Sequence, residues 1–288
     1  MRFPELRPLL ALALGSALMV TPPTTTGPAR GALVLVGGGA NRPSFIQKFV
    51  ALAGGPAAAI VLIPTTLEDD RLTADGLDRL RESMASILGV PRVLVLHTRD
   101  RHQADAPAFV EPLRHATGVW ILGGNEQHLM DAYTGTRTQT EIEAVLARGG
   151  VLGGTSAGAI IQGSTTVLAD SPAFKALVID TKHTPFGLLP NTIVLPHWSQ
   201  RSLQRVLSAT LATAPNLLGI GIDEATAAIV EHDQLDVLGD GHVGIYDGTD
   251  HNGKPYYELS PGQRFDLTKR VVMPTPALAA HQEGNSPD

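Results

Sequence analysis

The chain has 288 residues, a net charge of −6, 43% hydrophobic and 17% charged residues, and no cysteine. The missing cysteine excludes disulfides, thiolate metal sites and cysteine nucleophiles. No Lys/Arg block stands out, which argues against a nucleic-acid partner, and the length suits one α/β domain with a large core.

Arg2 and Arg7 precede the apolar run Leu9–Val20, which Pro22 and Pro23 end. That run falls short of the roughly 20 residues a membrane span needs. It reads as a secretory signal peptide over residues 1–29, cut after Ala17 or Ala29. The expectation is an exported protein, periplasmic or extracellular, with no stable membrane insertion after processing.

Ala32–Val36 predicts a buried strand, closed by Gly37-Gly38-Gly39. Phe45–Leu52 predicts a helix, Ala58–Ile63 a strand ending at Pro64-Thr65-Thr66, and Asp70–Leu88 a helix with Leu72, Leu77, Leu80, Met84 and Leu88 on one side. Val93–Leu96 and Gly118–Leu122 are further strands, with a short helix over Phe109–His115 between them. Gly123-Gly124-Asn125 ends the latter strand, and helices follow at Glu126–Tyr133 and Thr138–Ala147. The alternation predicts a mainly parallel sheet with helices on both faces. Ligands bind such sheets at the carboxyl ends of the strands, where the glycine turns lie. The first turn lacks the G-x-G-x-x-G register, so no nucleotide cofactor is expected.

Val151-Leu152 then leads into Gly154-Thr155-Ser156-Ala157-Gly158, followed by Ala159-Ile160-Ile161. This is a G-x-S-x-G nucleophile elbow in a strand–turn–helix setting. Beyond it, Thr165–Thr184 reads as an irregular loop near the site, Thr192–Leu195 as a strand, and Leu203–Leu211 as a helix. From Gly219 the short apolar runs Ala227–Val230, Leu235–Leu238 and Val243–Tyr246 predict C-terminal β-hairpins at one end of the sheet. The domain is expected to span residues 30–276, with a loose tail over 277–288.

A serine hydroxyl needs a base, and the base needs an acceptor to fix its tautomer. Of ten histidines, His197 follows a strand end and is preferred; His183, in the loop, is the reserve. Asp223 and Glu224 end another short strand, and residue pattern alone leaves the choice between them open. The order serine, histidine, acid differs from the α/β-hydrolase order serine, acid, histidine.

Five ordered segments resemble the cyanophycinase and aspartyl dipeptidase group of serine peptidases (peptidase family S51), closest to cyanophycinase. They are LVGGGANRP at 35–43, ATGVWILGGNEQHL at 116–129, GGTSAGAII at 153–161, FGLLPNTIVLPHWSQR at 186–201 and GIGIDEATAAIVE at 219–231. The resemblance implies a class I glutamine amidotransferase-like, flavodoxin-like three-layer α/β fold. It implies a Ser156–His197–Glu224 triad and oxyanion donors at Ala157 and Gly124. It implies substrate contacts from Glu126, Gln127, Gln200, Arg201 and Arg205, with the two arginines four apart on one helix. It implies no metal and no organic cofactor, a possible homodimer, and hydrolysis of cyanophycin (multi-L-arginyl-poly-L-aspartate) to β-Asp-Arg dipeptides. Two positions depart from the group. Leu195-Pro196 stands where an Asp-Gln pair usually precedes the histidine, and Glu126 stands where a glutamine is expected. They favour, as alternatives, an exported aspartyl dipeptidase or isopeptidase for another acidic peptide. A non-catalytic binding protein of the same fold is the remaining alternative.

Overall fold

In β1 (Ala32–Val36) every residue is buried, and successive side chains serve two different cores. Leu33 and Leu35 join one; Ala32, Val34 and Val36 join the other. That is the period of a strand covered on both faces. The computed structural model describes residues 27–39, 42–169 and 176–274.

Along the chain follow α1 (Pro43–Leu52), β2 (Ala59–Ile63), α2 (Ala74–Leu88), β3 (Arg92–Val95), α3 (Arg101–Ala104), α4 (Glu111–Arg114), β4 (Gly118–Ile121), α5 (Glu126–Tyr133), α6 (Arg137–Ala147), β5 (Val151–Thr155) and α7 (Ala157–Ile160). Then come β6 (Gly163–Thr165), β7 (Val167–Ala169), β8 (Leu177–Ile179), β9 (Leu189–Pro196), α8 (Gln204–Ala212), β10 (Leu218–Ile222), β11 (Thr226–Glu231), β12 (Gln234–Gly239), β13 (Val243–Tyr246), β14 (Tyr257–Leu259), β15 (Arg264–Asp266) and β16 (Val271–Met273).

The larger sheet has the order β16-β15-β12-β11-β1-β5-β4-β2-β3. Its half from β1 to β3 is parallel, and β11, β12, β15 and β16 extend it antiparallel. Phe45 and Phe49 of α1 and Met84 and Leu88 of α2 cover one face. The other face packs against α5, α6 and a second sheet, β14-β13-β10-β9-β6. Leu207 and Leu211 of α8, with Val167 and Leu177 of the β7–β8 hairpin, cover the outer face of that second sheet.

The α/β class and the mainly parallel sheet agree with the sequence reading; the arrangement is richer than a single sheet. The strands leading to His197 and Glu224 belong to the second sheet, not to the sheet that carries the elbow. The predicted hairpins divide: β11–β12 joins the first sheet and β13 the second. Within the stretch read as irregular, β7 and β8 pair. The helix expected from Asp70 starts at Ala74, because Thr73 caps it by accepting the Gly76 N–H at 3.2 Å. Residues 1–26 of the leader expected over 1–29, and the whole tail expected over 277–288, lie outside the described residues. Among the described residues, no helix is long and apolar enough to cross a membrane.

Candidate active site

β5 ends at Thr155, and the chain reverses through Ser156 with φ 52° and ψ −116°. A positive φ is uncommon outside glycine and persists only where the surroundings impose it. The flanking glycines explain how the turn closes. A Cβ on Gly154 would lie 2.2 Å from the Gly158 carbonyl oxygen, and one on Gly158 would lie 2.5 Å from that of Ile121. The Ser156 N–H donates to the Val36 carbonyl at 2.9 Å, which ties the elbow to the end of β1.

Ser156 Oγ lies 2.9 Å from His197 Nε2, and His197 Nδ1 lies 2.7 Å from Glu224 Oε1. With Nδ1 donating to the carboxylate, Nε2 is left to accept the serine proton. The His197 side chain is 12% exposed and that of Glu224 41% exposed. The serine thus comes from one sheet, and its two partners come from neighbouring parallel strand ends of the other.

Residue pattern left Asp223 and Glu224 open and the resemblance implied Glu224; of the two, Glu224 is the one whose carboxylate contacts the His197 ring. Asp223 is 4% exposed, and its carboxylate is taken up by backbone amides. Its Oδ1 accepts the Ser199 N–H and its Oδ2 the His242 N–H, each at 2.9 Å. His183, the reserve histidine, lies in a separate network of carboxylates. Its Nδ1 lies 2.7 Å from Asp180 Oδ2, and its Nε2 lies 3.6 Å from Asp131 Oδ1. Burial pushes the Asp180 carboxyl up, but hydrogen bonds from the His183 ring and from the Lys182 and His183 N–H groups hold it below the usual range.

The glycine turn after β1 has a role the sequence did not reveal. Gly37 accepts the His197 N–H at 2.9 Å, and Gly38 accepts the Ala225 N–H at 2.8 Å. A Cβ on Gly38 would lie 2.2 Å from His197 Cε1, and one on Gly39 2.9 Å from Glu224 Cβ. The turn is a bare backbone surface against which the histidine and the acid rest. Thr66 is a second missed residue. Its hydroxyl donates to the carbonyls of Leu122 (2.9 Å) and Gly123 (3.1 Å), and its own carbonyl accepts the Asn125 N–H at 2.8 Å. It thereby shapes the Gly123–Gly124 turn, where a Cβ on Gly123 would be 3.2 Å from Ser156 Cβ. No protein acceptor among the described residues takes the N–H of Ala157 or Gly124.

The remaining predicted site residues divide. Glu126 opens α5 beside this turn, and the Gln127 N–H is taken by Asn125 Oδ1 at 2.9 Å. Burial raises the Glu126 carboxyl above the usual range, although the charges of Arg201 and His183 oppose it. Gln200 Oε1 accepts the Glu224 N–H at 3.0 Å. Arg201 and Arg205 do not share a helix: Arg201 lies in the turn before α8, and Ser202, with φ 56°, separates the two. Arg205 lines a cavity of about 590 Å³ between α8 and β8, with Leu177, Ile179 and Thr210. Leu195 is 6% exposed and packs with Trp198, Leu203 and Leu207 in the layer under α8.

A model of peptidase family S51 matches residues 33–238. The chain is 31% identical over 269 residues to the cyanophycinase of Nostoc sp., covering 84% of this chain and 88% of that protein. It is 31% identical over 227 residues to the cyanophycinase of Geminocystis herdmanii, covering 76% and 81%. Among solved structures it is similar to a peptidase from an acI-B1 actinobacterium, with a TM-score of 0.63 at 25% identity over 82% of this chain and 97% of that one.

Proposed function

Since the chain belongs to peptidase family S51, and with it to the serine-type peptidases, we propose that it hydrolyses cyanophycin to β-Asp-Arg dipeptides through Ser156, His197 and Glu224. The observation that carries the mechanism is the unbroken relay from Ser156 Oγ to His197 (2.9 Å) and on to Glu224 (2.7 Å). Ser156 attacks the scissile carbonyl while His197 Nε2 takes the hydroxyl proton. Glu224 holds the ring and stabilises the imidazolium. The free N–H groups of Ala157 and Gly124 receive the oxyanion, each donor contributing about 3 kcal/mol to lowering the barrier. The tetrahedral intermediate expels the leaving amine, to which His197 gives the proton. Water then attacks the acyl-serine with His197 again as base; the acyl–Oγ bond breaks, His197 returns that proton to Ser156 Oγ, and the acid product leaves, losing its own proton to solvent as the carboxylate.

A related exported dipeptidase or isopeptidase for another acidic peptide is the second reading. Leu195 favours it, since this residue is apolar and buried where the resemblance expects a polar pair. Export itself is proposed from the leader alone. The test is incubation of the purified protein with insoluble cyanophycin and with α-aspartyl dipeptides, with products followed by mass spectrometry. Release of β-Asp-Arg, lowered at least about a thousandfold in Ser156→Ala, is the expected result. Cleavage of the α-aspartyl dipeptides alone would transfer the assignment to the second reading. Full turnover by Ser156→Ala would end the serine mechanism.

A further inference from the structure

The two turns that carry His197 and Glu224 exchange hydrogen bonds in both directions. From the acid turn, Asp223 Oδ1 accepts the Ser199 N–H of the histidine turn at 2.9 Å. From the histidine turn, Gln200 Oε1 accepts the Glu224 N–H at 3.0 Å. Each turn thus satisfies a backbone amide of the other, with a side chain next to Glu224 in one case and three residues beyond His197 in the other.

We infer that Asp223 and Gln200 form a reciprocal staple that sets the register between Glu224 and His197 Nδ1. They act as positioning residues, and the inference rests on the triad reading above. The physical need for such a device comes from exposure. The Glu224 side chain is 41% exposed, and a polar contact open to water gains little against side-chain entropy and screening. A 2.7 Å contact to the ring therefore depends on where the backbone presents the carboxylate. That backbone is not relaxed: His197, Ser202 and Ala225 all have φ near +55° (55°, 56° and 54°). Such conformations last only when neighbouring contacts over-determine them. The staple supplies two of those contacts. The Trp198 N–H to the Ile222 carbonyl (3.1 Å) and the Ala225 N–H to the Gly38 carbonyl (2.8 Å) supply others.

Asp223 has a second anchor. Its Oδ2 accepts the His242 N–H, and its own N–H donates to the His242 carbonyl at 3.1 Å. Gly241 lies so close that a Cβ there would be 2.7 Å from Asp223 Cβ. The β12–β13 turn therefore grips Asp223, which in turn grips the histidine turn. Gln200 is exposed, so its substitution leaves the core intact. The resemblance implied substrate contact for Gln200; its Oε1 accepts the Glu224 N–H.

The experiment measures the second-order rate at which a fluorophosphonate labels Ser156 in the full-length protein, a rate that needs the triad but not the natural substrate. Gln200→Met keeps the volume and removes the acceptor; Gln200→Glu keeps an acceptor oxygen. Each is made alone and in a Glu224→Gln background, with melting temperature recorded. Gln200→Met is expected to slow labelling about tenfold, the scale of one lost hydrogen bond. Gln200→Glu is expected to stay within about threefold. In the Glu224→Gln background, Gln200→Met should add less than about twofold, because the staple acts through Glu224. An unchanged rate in Gln200→Met, or an equal loss in both backgrounds, overturns the staple. Wild-type protein left unlabelled at Ser156 would instead defeat the catalytic reading. The downfield proton resonance of His197 Nδ1 then judges the staple alone. A resonance perturbed by Gln200→Met and restored by Gln200→Glu supports it, and one indifferent to Gln200→Met overturns it.

Discussion

Glu126 shows how one side chain ties the site to pH. It opens α5 beside the Gly123–Gly124 turn, and burial raises its carboxyl above the ordinary value of 4.5. A carboxyl whose folded pKa is raised contributes stability below the unfolded pKa, and that contribution is lost as pH rises through the folded value. Above the unfolded value, keeping this carboxyl in its buried place therefore weakens the fold relative to acid pH. Glu126→Gln removes the ionisation, so the variant should melt above wild type near pH 7. The gap should close as pH falls below 4.5. Melting curves of both proteins across that range check this. A gap independent of pH would mean that burial does not govern this carboxyl. Asp180 has the opposite sign. Held low through the hydrogen bonds that outweigh its burial, it contributes stability that is lost on acidification through its lowered range.

Among the elements, the turn Gly37–Gly39 does most to bring the site together. Its carbonyls take amides from the histidine and acid turns, and the absence of a side chain lets the His197 ring lie against it. Gly38→Ala would place a methyl 2.2 Å from His197 Cε1, at a φ of +102° that already disfavours any side chain. The ring must move, and a shift of about 1 Å at a reacting group costs about a hundredfold in rate. The expected outcome is that loss in kcat with far-ultraviolet circular dichroism retained. A variant with wild-type kcat would show that the ring does not depend on this surface.

A similar economy supports Trp198, which is 1% exposed. It fills the space over Gly221 and Gly244, where a Cβ on either would come within 2.4 Å of its ring. Its indole N–H donates to the Tyr246 hydroxyl at 3.0 Å. The sequence made the apolar strands legible, and with them the elbow, because hydrophobic period and glycine spacing are local signals. It could not assign strands to sheets. Thr192–Leu195 and Gly219–Ile222 read like central strands of the first sheet, and only their pairing with each other and with β6 and β13 sets them apart. That Glu224 and not Asp223 contacts the ring depends on which neighbouring residue turns toward it; no local pattern records this, and only the resemblance pointed to Glu224. The roles of Gly38 and Gly221 were hidden for the same reason, since a glycine reports close approach without naming what approaches.

At the scale of the molecule, the site lies on a seam between two sheets, and the core crosses that seam. Leu33, Leu35, Ile121 and Leu152 of the first sheet share one apolar cluster with Val194, Leu218, Ile220 and Ile245 of the second. Separating the sheets would expose this cluster at roughly 25 cal/mol for each Å² of apolar surface. The sheets should therefore unfold as one cooperative unit. In a urea titration, fluorophosphonate labelling of Ser156 and far-ultraviolet ellipticity should fall at the same midpoint. Ser156 follows a strand of one sheet and His197 a strand of the other, so labelling reports the seam itself, whereas ellipticity reports all strands and helices. Labelling lost at a clearly lower urea concentration would mean that the second sheet detaches first. It would make the triad a contact between two independently stable layers instead of the product of one core.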